Sequence, residues 1–508
     1  MIDITRPNYN SLFLAVATAL GLLVIFVASG FIFASANPVA KSAMLIGGCF
    51  LLVGAVQPRR MLVLLVPITF YLDGGKRLLI LTGNTQLDDV STVLAIAPLA
   101  AVGIIIGCVL QRVFFKRRPE PIERLAIFGA LAAFVAFGGT EIFSAGDLLH
   151  GLKTIANSTV YFLLPWAILQ IYRTRDEIEG FLKICVCVAI PVALYGIWQY
   201  CMGLSSFEVA YLKSGLTITE GNLEEVRPRP FSTLSSPHAY GYVMAFMLAL
   251  SVHFRGSWSG NRGSWKGRIF ILIYAMALLL GLGRSAIVTG VAMLCCGRLF
   301  RSHKGVLIAY SFSVIFLGGM IVFAQPILDA LDKLQTYLPG NSEWQQQAFR
   351  LGTWSDRLMG YRDVLGNPGS WPLIANPLKF HSNNLAGEAV PYSHDLLSQM
   401  ILRIGAIPVL IVICVGLYIL LHAHRAILRL PSGKSGSRLL AAQLMGMIVA
   451  FLLAQAAGSG ITVFPMNFWM GIFSGLLSVL CIYHQKGRPA DAKGGAIVAG
   501  VPTAVGVR

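Results

Sequence analysis

Apolar runs separated by Pro, Gly and charge clusters recur along the whole chain, near residues 11–33, 40–56, 61–72, 90–111, 124–144, 154–172, 182–203, 237–254, 269–282, 285–299, 305–325, 394–421, 439–458 and 462–483. A helix needs about 20 apolar residues to cross a bilayer core. The pattern therefore predicts an all-α, polytopic integral membrane protein with about 12–14 transmembrane helices. The first run is too long for a signal-peptide core and only Arg6 precedes it, so despite Ala34, Ser35 and Ala36 it reads as an uncleaved anchor.

Alternate connections are basic: Arg59 and Arg60; Arg112, Lys116, Arg117, Arg118 and Arg124; Arg173 and Arg175; Arg255, Arg262, Lys266 and Arg268; Arg298, Arg301 and Lys304; Arg425, Arg429, Lys434 and Arg438; Lys486 and Arg488. The positive-inside bias puts these connections and both termini in the cytoplasm. The alternation holds only if the chain turns back at Gly283 and Arg284, so a hairpin is expected there rather than one long helix. With 508 residues, 56% hydrophobic and 12% charged, the composition excludes both a soluble multidomain enzyme and a disordered chain.

The net charge of +17, from 40 basic and 23 acidic residues, would suggest nucleic acid in a soluble protein. Sorted by side, the inner face carries about 26 Lys/Arg and about 7 Asp/Glu, the outer face about 14 and about 16. The surplus belongs to topology, and no nucleic-acid partner is implied. All nine cysteines lie in or beside apolar runs, with neither a disulfide framework nor a zinc spacing.

Two outer connections are long enough to be functional, at 204–236 and 326–393. The first ends in RPRPFSTLSSPHAYGY (227–242), where Ser236 is a candidate N-cap, Pro237 a first-turn proline and His238 a first-turn residue of an inward helix. The same arrangement recurs at Arg284, and again at Ser393, His394 and Asp395. Helix N-termini beside Arg229, Arg284 and His394 suit a phosphate or diphosphate, because free N–H groups and guanidinium forks both donate to its oxygens. In the second connection Leu351, Trp354, Leu358, Tyr361 and Leu365 form one helical stripe bordered by Arg350, Arg357 and Arg362. Its simplest reading is a peripheral helix at the membrane surface with snorkelling arginines.

Each of these residues has a plainer reading. A lone outward Arg is most often a solvated interface residue, and a helix-start His most often a cap. Arg403, about nine residues into the 394–421 run, reads as structural, paired or snorkelling outward. The pairs Asp88–Asp89 and Glu224–Glu225 read as solvated loop carboxylates. No phosphate-binding glycine loop, HExxH or nucleophile elbow is present, so no metal or other cofactor is expected. A transferase built this way would use a donor activated before it reaches the outer face, such as a lipid diphosphate-linked sugar.

Taken in order, four segments between about 225 and 410 resemble the O-antigen ligase and O-antigen polymerase superfamily of bacterial envelope glycosyltransferases. Arg229 begins RPFSTLSSPH, where the family has an Arg and then Pro-Asn; Pro237 matches and His238 replaces the Asn. Gly283-Arg284-Ser285 approximates the family's Ser-Arg turn. Arg357 precedes Tyr361 by four residues, where Trp is commoner, and His394-Asp395 stands for His-Asn.

The resemblance implies a metal-independent glycosyltransferase in the bacterial inner membrane, its active site facing the periplasm. Its substrates would be an undecaprenyl-diphosphate-linked oligosaccharide and an acceptor glycan, either a lipid-linked repeat unit or lipid A core. A chain-length regulator protein is a further implied partner. Arg284 and His394 would be catalytic, with Arg229, Arg357, Arg362, His238 and Asp395 binding diphosphate or glycan. The implied organisation is an N-terminal bundle at 1–203, a periplasmic loop at 204–236 and a family-like core at 225–425. C-terminal helices at 426–484 and a disordered Gly/Ala-rich tail at 485–508 follow. Polymerase is the leading expectation, ligase the second and protein O-glycosylation a third. A lipid-linked oligosaccharide flippase is the alternative of another class, though transporters usually carry their ionisable residues at mid-membrane.

Overall fold

The computed structural model describes residues 38–82, 87–114, 124, 129, 160–214, 229–258, 265–323, 326, 329–330, 364–365, 368–374, 396–430, 436–455 and 464–485. Every regular element among them is helical. The first half contributes α1 (Pro38–Val56), α2 (Pro58–Arg77), α3 (Leu87–Leu94), α4 (Ile96–Phe114), α5 (Leu164–Ile171), α6 (Arg175–Val188), α7 (Ile190–Met202) and α8 (Ser206–Lys213). The second half contributes α9 (Pro237–His253), α10 (Trp265–Leu280), α11 (Arg284–Leu299), α12 (His303–Val322), α13 (Leu396–Ile404), α14 (Ala406–Arg429), α15 (Ser437–Ala454) and α16 (Met466–Gln485).

Among the described residues five helical segments are long and apolar enough to cross a membrane: Val39–Val56, Asp89–Val113, Arg175–Met202, Ala406–Arg429 and Ser437–Ala454. Bands of exposed apolar side chains surround the bundle, including Leu45 and Ile46 on α1, Leu307, Ile308, Val314 and Ile315 on α12, and Leu410, Ile411 and Leu417 on α14. A surface of that kind is stable against lipid and not against water. The protein is a multi-pass membrane protein.

Sequence chemistry accounts for the joints. Ser236 caps α9, its Oγ accepting from Ala239 N at 3.2 Å, with Pro237 in the first turn. Thr174 and Glu177 form a reciprocal capping box at the start of α6. Pro191 has no N–H to continue the ladder, and the helix turns at Ala189 between α6 and α7.

Small residues set how the helices pack. A methyl group on Gly54 would lie 2.7 Å from the Gly103 carbonyl carbon, and one on Gly107 2.5 Å from the Gly54 carbonyl oxygen. Since Gly47 meets Leu99 further back, α1 and α4 run parallel at backbone contact. Gly471 meets Leu164 and Gly475 meets Ile168, so α5 and α16 are also parallel. Gly241 packs on Ala286 and Ala245 on Gly290, which makes α9 parallel to α11. α10 runs the other way between them: a methyl on Gly290 would lie 2.9 Å from Leu278, across the turn at residues 281–283. The expected hairpin at Gly283 and Arg284 is present. α15 runs antiparallel to α11, with Arg438 bonded to the Arg301 carbonyl, Gln443 to that of Met293, and Gly446 against Gly297.

At the centre stands α9, buried on every face from Pro237 to Ser251 apart from His238. α15 is also largely inside, 72% of its apolar window being buried, whereas α14 at 6% lies at the rim.

Two expectations need correction. The apolar run 394–421 is not one helix: Gly405, at φ 95, ends α13, and α14 starts afresh at Ala406. The first free N–H groups of α14 are satisfied by the segment at 368–374, Ala406 N donating to Pro372 O at 2.8 Å and Ile407 N to Leu373 O at 3.1 Å. Arg403 consequently sits in the last turn of a short helix, not deep in a span. Asp89 is not a solvated loop residue but lies buried in the first turn of α3, where the helix dipole favours a carboxylate. Glu224 and Glu225 lie outside the described residues.

Candidate functional site

The chain entering α9 is held by three helices. Gln199, near the end of α7, accepts from Ser232 N at 2.6 Å and Phe231 N at 3.2 Å through one Oε1, and donates through Nε2 to Glu208 Oε1 at 2.6 Å. Arg77, the last residue of α2, donates to the carbonyls of Ser232 and Leu234. The same guanidinium lies 4.1 Å from the Phe231 ring centroid and 3.5 Å from Glu208 Oε1. Ser232 Oγ donates to Val192 O and Thr233 Oγ1 to Phe70 O, each at 2.6 Å. Ser232 itself adopts φ 52, a left-handed conformation sparsely populated by a non-glycine residue. The surrounding bonds over-determine it, as a strained residue requires.

This clamp is ionic and dry. Arg77 and Glu208 are 3% and 1% exposed, so neither charge can be solvated and each depends on the other. Asp73, one turn earlier on α2, pairs with Lys76, and its buried Oδ2 has no hydrogen-bond partner among the described residues. Glu208 is anchored further by Ser205, whose N and Oγ both donate to its Oε2, at 3.0 and 2.8 Å. On α8 the Tyr211 phenol is pushed above its ordinary range by burial, an effect that Lys76 and Arg77 oppose.

The clamped segment carries two residues anticipated from sequence. Arg229 is half-buried at its start, and His238 half-buried in the first turn of α9, its ring edge-on to Tyr242 at 4.6 Å. Arg284, also half-buried, is the first residue of α11. Gly241 and Ala286 are in contact, and Gly281 lies against Tyr240, so the two helix starts carrying His238 and Arg284 stand side by side at one end of the bundle. Two parallel helix N-termini direct their first N–H groups toward the same face, an arrangement favourable to an anion.

Arg357, Arg362, His394 and Asp395 lie outside the described residues, as does most of the amphipathic stripe. Its last member, Leu365, is buried against Ile401 and Val409, and Trp371 Nε1 donates to Val364 O at 2.5 Å. The end of the stripe therefore packs on α13 and α14 rather than on lipid. Among the described residues no group of three or more His, Cys, Asp or Glu side chains is placed to hold a metal ion.

Sequence reading missed Arg77, Gln199 and Glu208. Two signals were available: the mixed charges of DGGKR (73–77) at the end of an apolar run, and Ser205-x-x-Glu208, a capping-box spacing. No protein-family model, curated protein or solved structure matches this chain.

Proposed function

We propose that this chain is a membrane glycosyltransferase that transfers glycan from an undecaprenyl-diphosphate-linked donor to a sugar hydroxyl at the periplasmic face of the bacterial inner membrane. The leading activity is that of an O-antigen or exopolysaccharide polymerase with 12–14 spans and cytoplasmic termini. The observation that carries this reading is the pair of adjacent helix starts bearing His238 and Arg284, beside a segment led by Arg229 and clamped by Arg77 and Gln199. Preorganised donors at one face are what a departing diphosphate needs.

In this reading the acceptor oxygen attacks the anomeric carbon and forms the new glycosidic bond. The bond from that carbon to the diphosphate oxygen breaks, and undecaprenyl diphosphate leaves. His394 accepts the proton of the acceptor hydroxyl, while Arg229, Arg284 and Arg357 balance the charge gathering on the diphosphate. Arg362, His238 and Asp395 contact diphosphate or glycan, and a chain-length regulator is the expected protein partner.

The test is complementation of a strain lacking the gene, read on a glycan gel. A polymerase predicts single capped units without the protein and a ladder with it. Polymer stranded on the undecaprenyl carrier in the deletion strain would replace this assignment with ligase. An unchanged glycan profile in the deletion strain would overturn both.

A further inference from the structure

At the other end of α11, about 24 Å from Arg284 by helical rise, a second cluster of cations gathers from four helices. Arg298 lies in the last turn of α11 and Arg301 just beyond it; His303 opens α12; His424 lies near the end of α14; Arg438 lies in the first turn of α15. The His303 and His424 rings lie 6.0 Å apart, edge to face, and Arg438 Nη2 donates to Arg301 O at 2.6 Å. Partial burial, then the like charge of Arg298, lower the Arg301 guanidinium from its ordinary range, yet arginine stays cationic at neutral pH.

Among the described residues no ion pair reaches these arginines. The ion pairs at this end of the bundle join Arg59 to Glu177 and Arg175 to Glu179, and none involves Arg298, Arg301 or Arg438. His424 is only 6% exposed, its ring lies beside that of His303, and its buried Nδ1 has no hydrogen-bond partner among the described residues. A buried ring nitrogen without a partner, beside uncompensated guanidinium groups, calls for an oxyanion. α12 and α14 lead away from the cluster with exposed apolar faces, Leu307, Ile308, Val314 and Ile315 on one, Leu410, Leu417 and Leu421 on the other.

We propose that Arg298, Arg301, His303, His424 and Arg438 form a binding site for the phosphate of an anionic phospholipid, whose acyl chains lie along α12 and α14. Apolar helix faces below a basic cluster at the membrane boundary favour a lipid over a free anion. The site is separate from the glycan-transfer reading and stands or falls without it.

Native mass spectrometry of the full-length protein, titrated with phosphatidylglycerol, phosphatidylcholine or inorganic phosphate, tests the assignment. One tightly held phosphatidylglycerol is expected on the wild type, bound about tenfold or more weakly by Arg301→Gln/Arg438→Gln and retained by Arg301→Lys/Arg438→Lys. His424→Gln, which removes no charge at neutral pH, is expected to weaken binding less than the double Gln variant and serves where that variant fails to fold. Equal retention of phosphatidylglycerol by wild type, His424→Gln and the double Gln variant overturns the site. Binding of inorganic phosphate with no preference for phosphatidylglycerol over phosphatidylcholine overturns the lipid assignment.

Discussion

Arg77 and Glu208 decide whether the segment before α9 has a fixed shape. Each is buried beside the other, and removing one partner of a buried pair leaves an unsolvated charge, typically a cost of about 3–5 kcal/mol. Arg77→Leu is therefore expected to lower thermal stability in detergent sharply. Arg77→Leu/Glu208→Gln should recover part of that loss, because a neutral Gln needs no counter-charge. A double variant no more stable than Arg77→Leu would mean the carbonyl bonds, not the ion pair, dominate the clamp. At this scale the sequence was readable where interactions are local. Ser236, Pro237 and His238 announce a helix start within three residues, and the structure has it. Arg77 meets Ser232 across 155 positions, and no periodicity or spacing marks such a partner.

At the scale of elements, the relative direction of three helix pairs was legible and helix contact was not. The alternation of basic connections requires the runs 40–56 and 90–111 to share a direction, as do 154–172 with 462–483 and 237–254 with 285–299. All three pairs are parallel in the structure, held at glycine and alanine contacts. The contacts themselves depend on where each small residue faces, which a uniformly apolar helix such as α9 does not disclose. The run 394–421 was misread because Gly405 acts through its backbone angle, and the supporting carbonyls of Pro372 and Leu373 come from a distant connection. Gly446 and Gly416 separate the two kinds of glycine. A side chain on Gly446 would meet the Gly297 backbone, whereas nothing lies within 4 Å of a methyl on Gly416. Gly446→Leu should cost about 1–3 kcal/mol or more through overpacking, and Gly416→Ala should be neutral or slightly stabilising. Thermal unfolding of the two variants checks this, and equal midpoints would contradict the close packing of α11 and α15.

For the whole molecule, the structure has two chemically different ends. One holds the Arg77 clamp with the starts of α9 and α11; the other holds Arg298, Arg301 and Arg438, which have no ion-pair partner among the described residues. The proposed orientation places the first outside and the second in the cytoplasm. In a cysteine-free background, Ser214→Cys should react with an impermeant maleimide in intact cells, and Lys304→Cys only after the membrane is opened. The opposite pattern would invert the protein and remove the periplasmic reading. The central claim, that the clamped end transfers glycan, is tested most directly by a glycan gel of cells carrying Arg284→Ala or His394→Ala at normal protein level and membrane insertion. Loss of polymer in both is expected; wild-type glycan in both would contradict it.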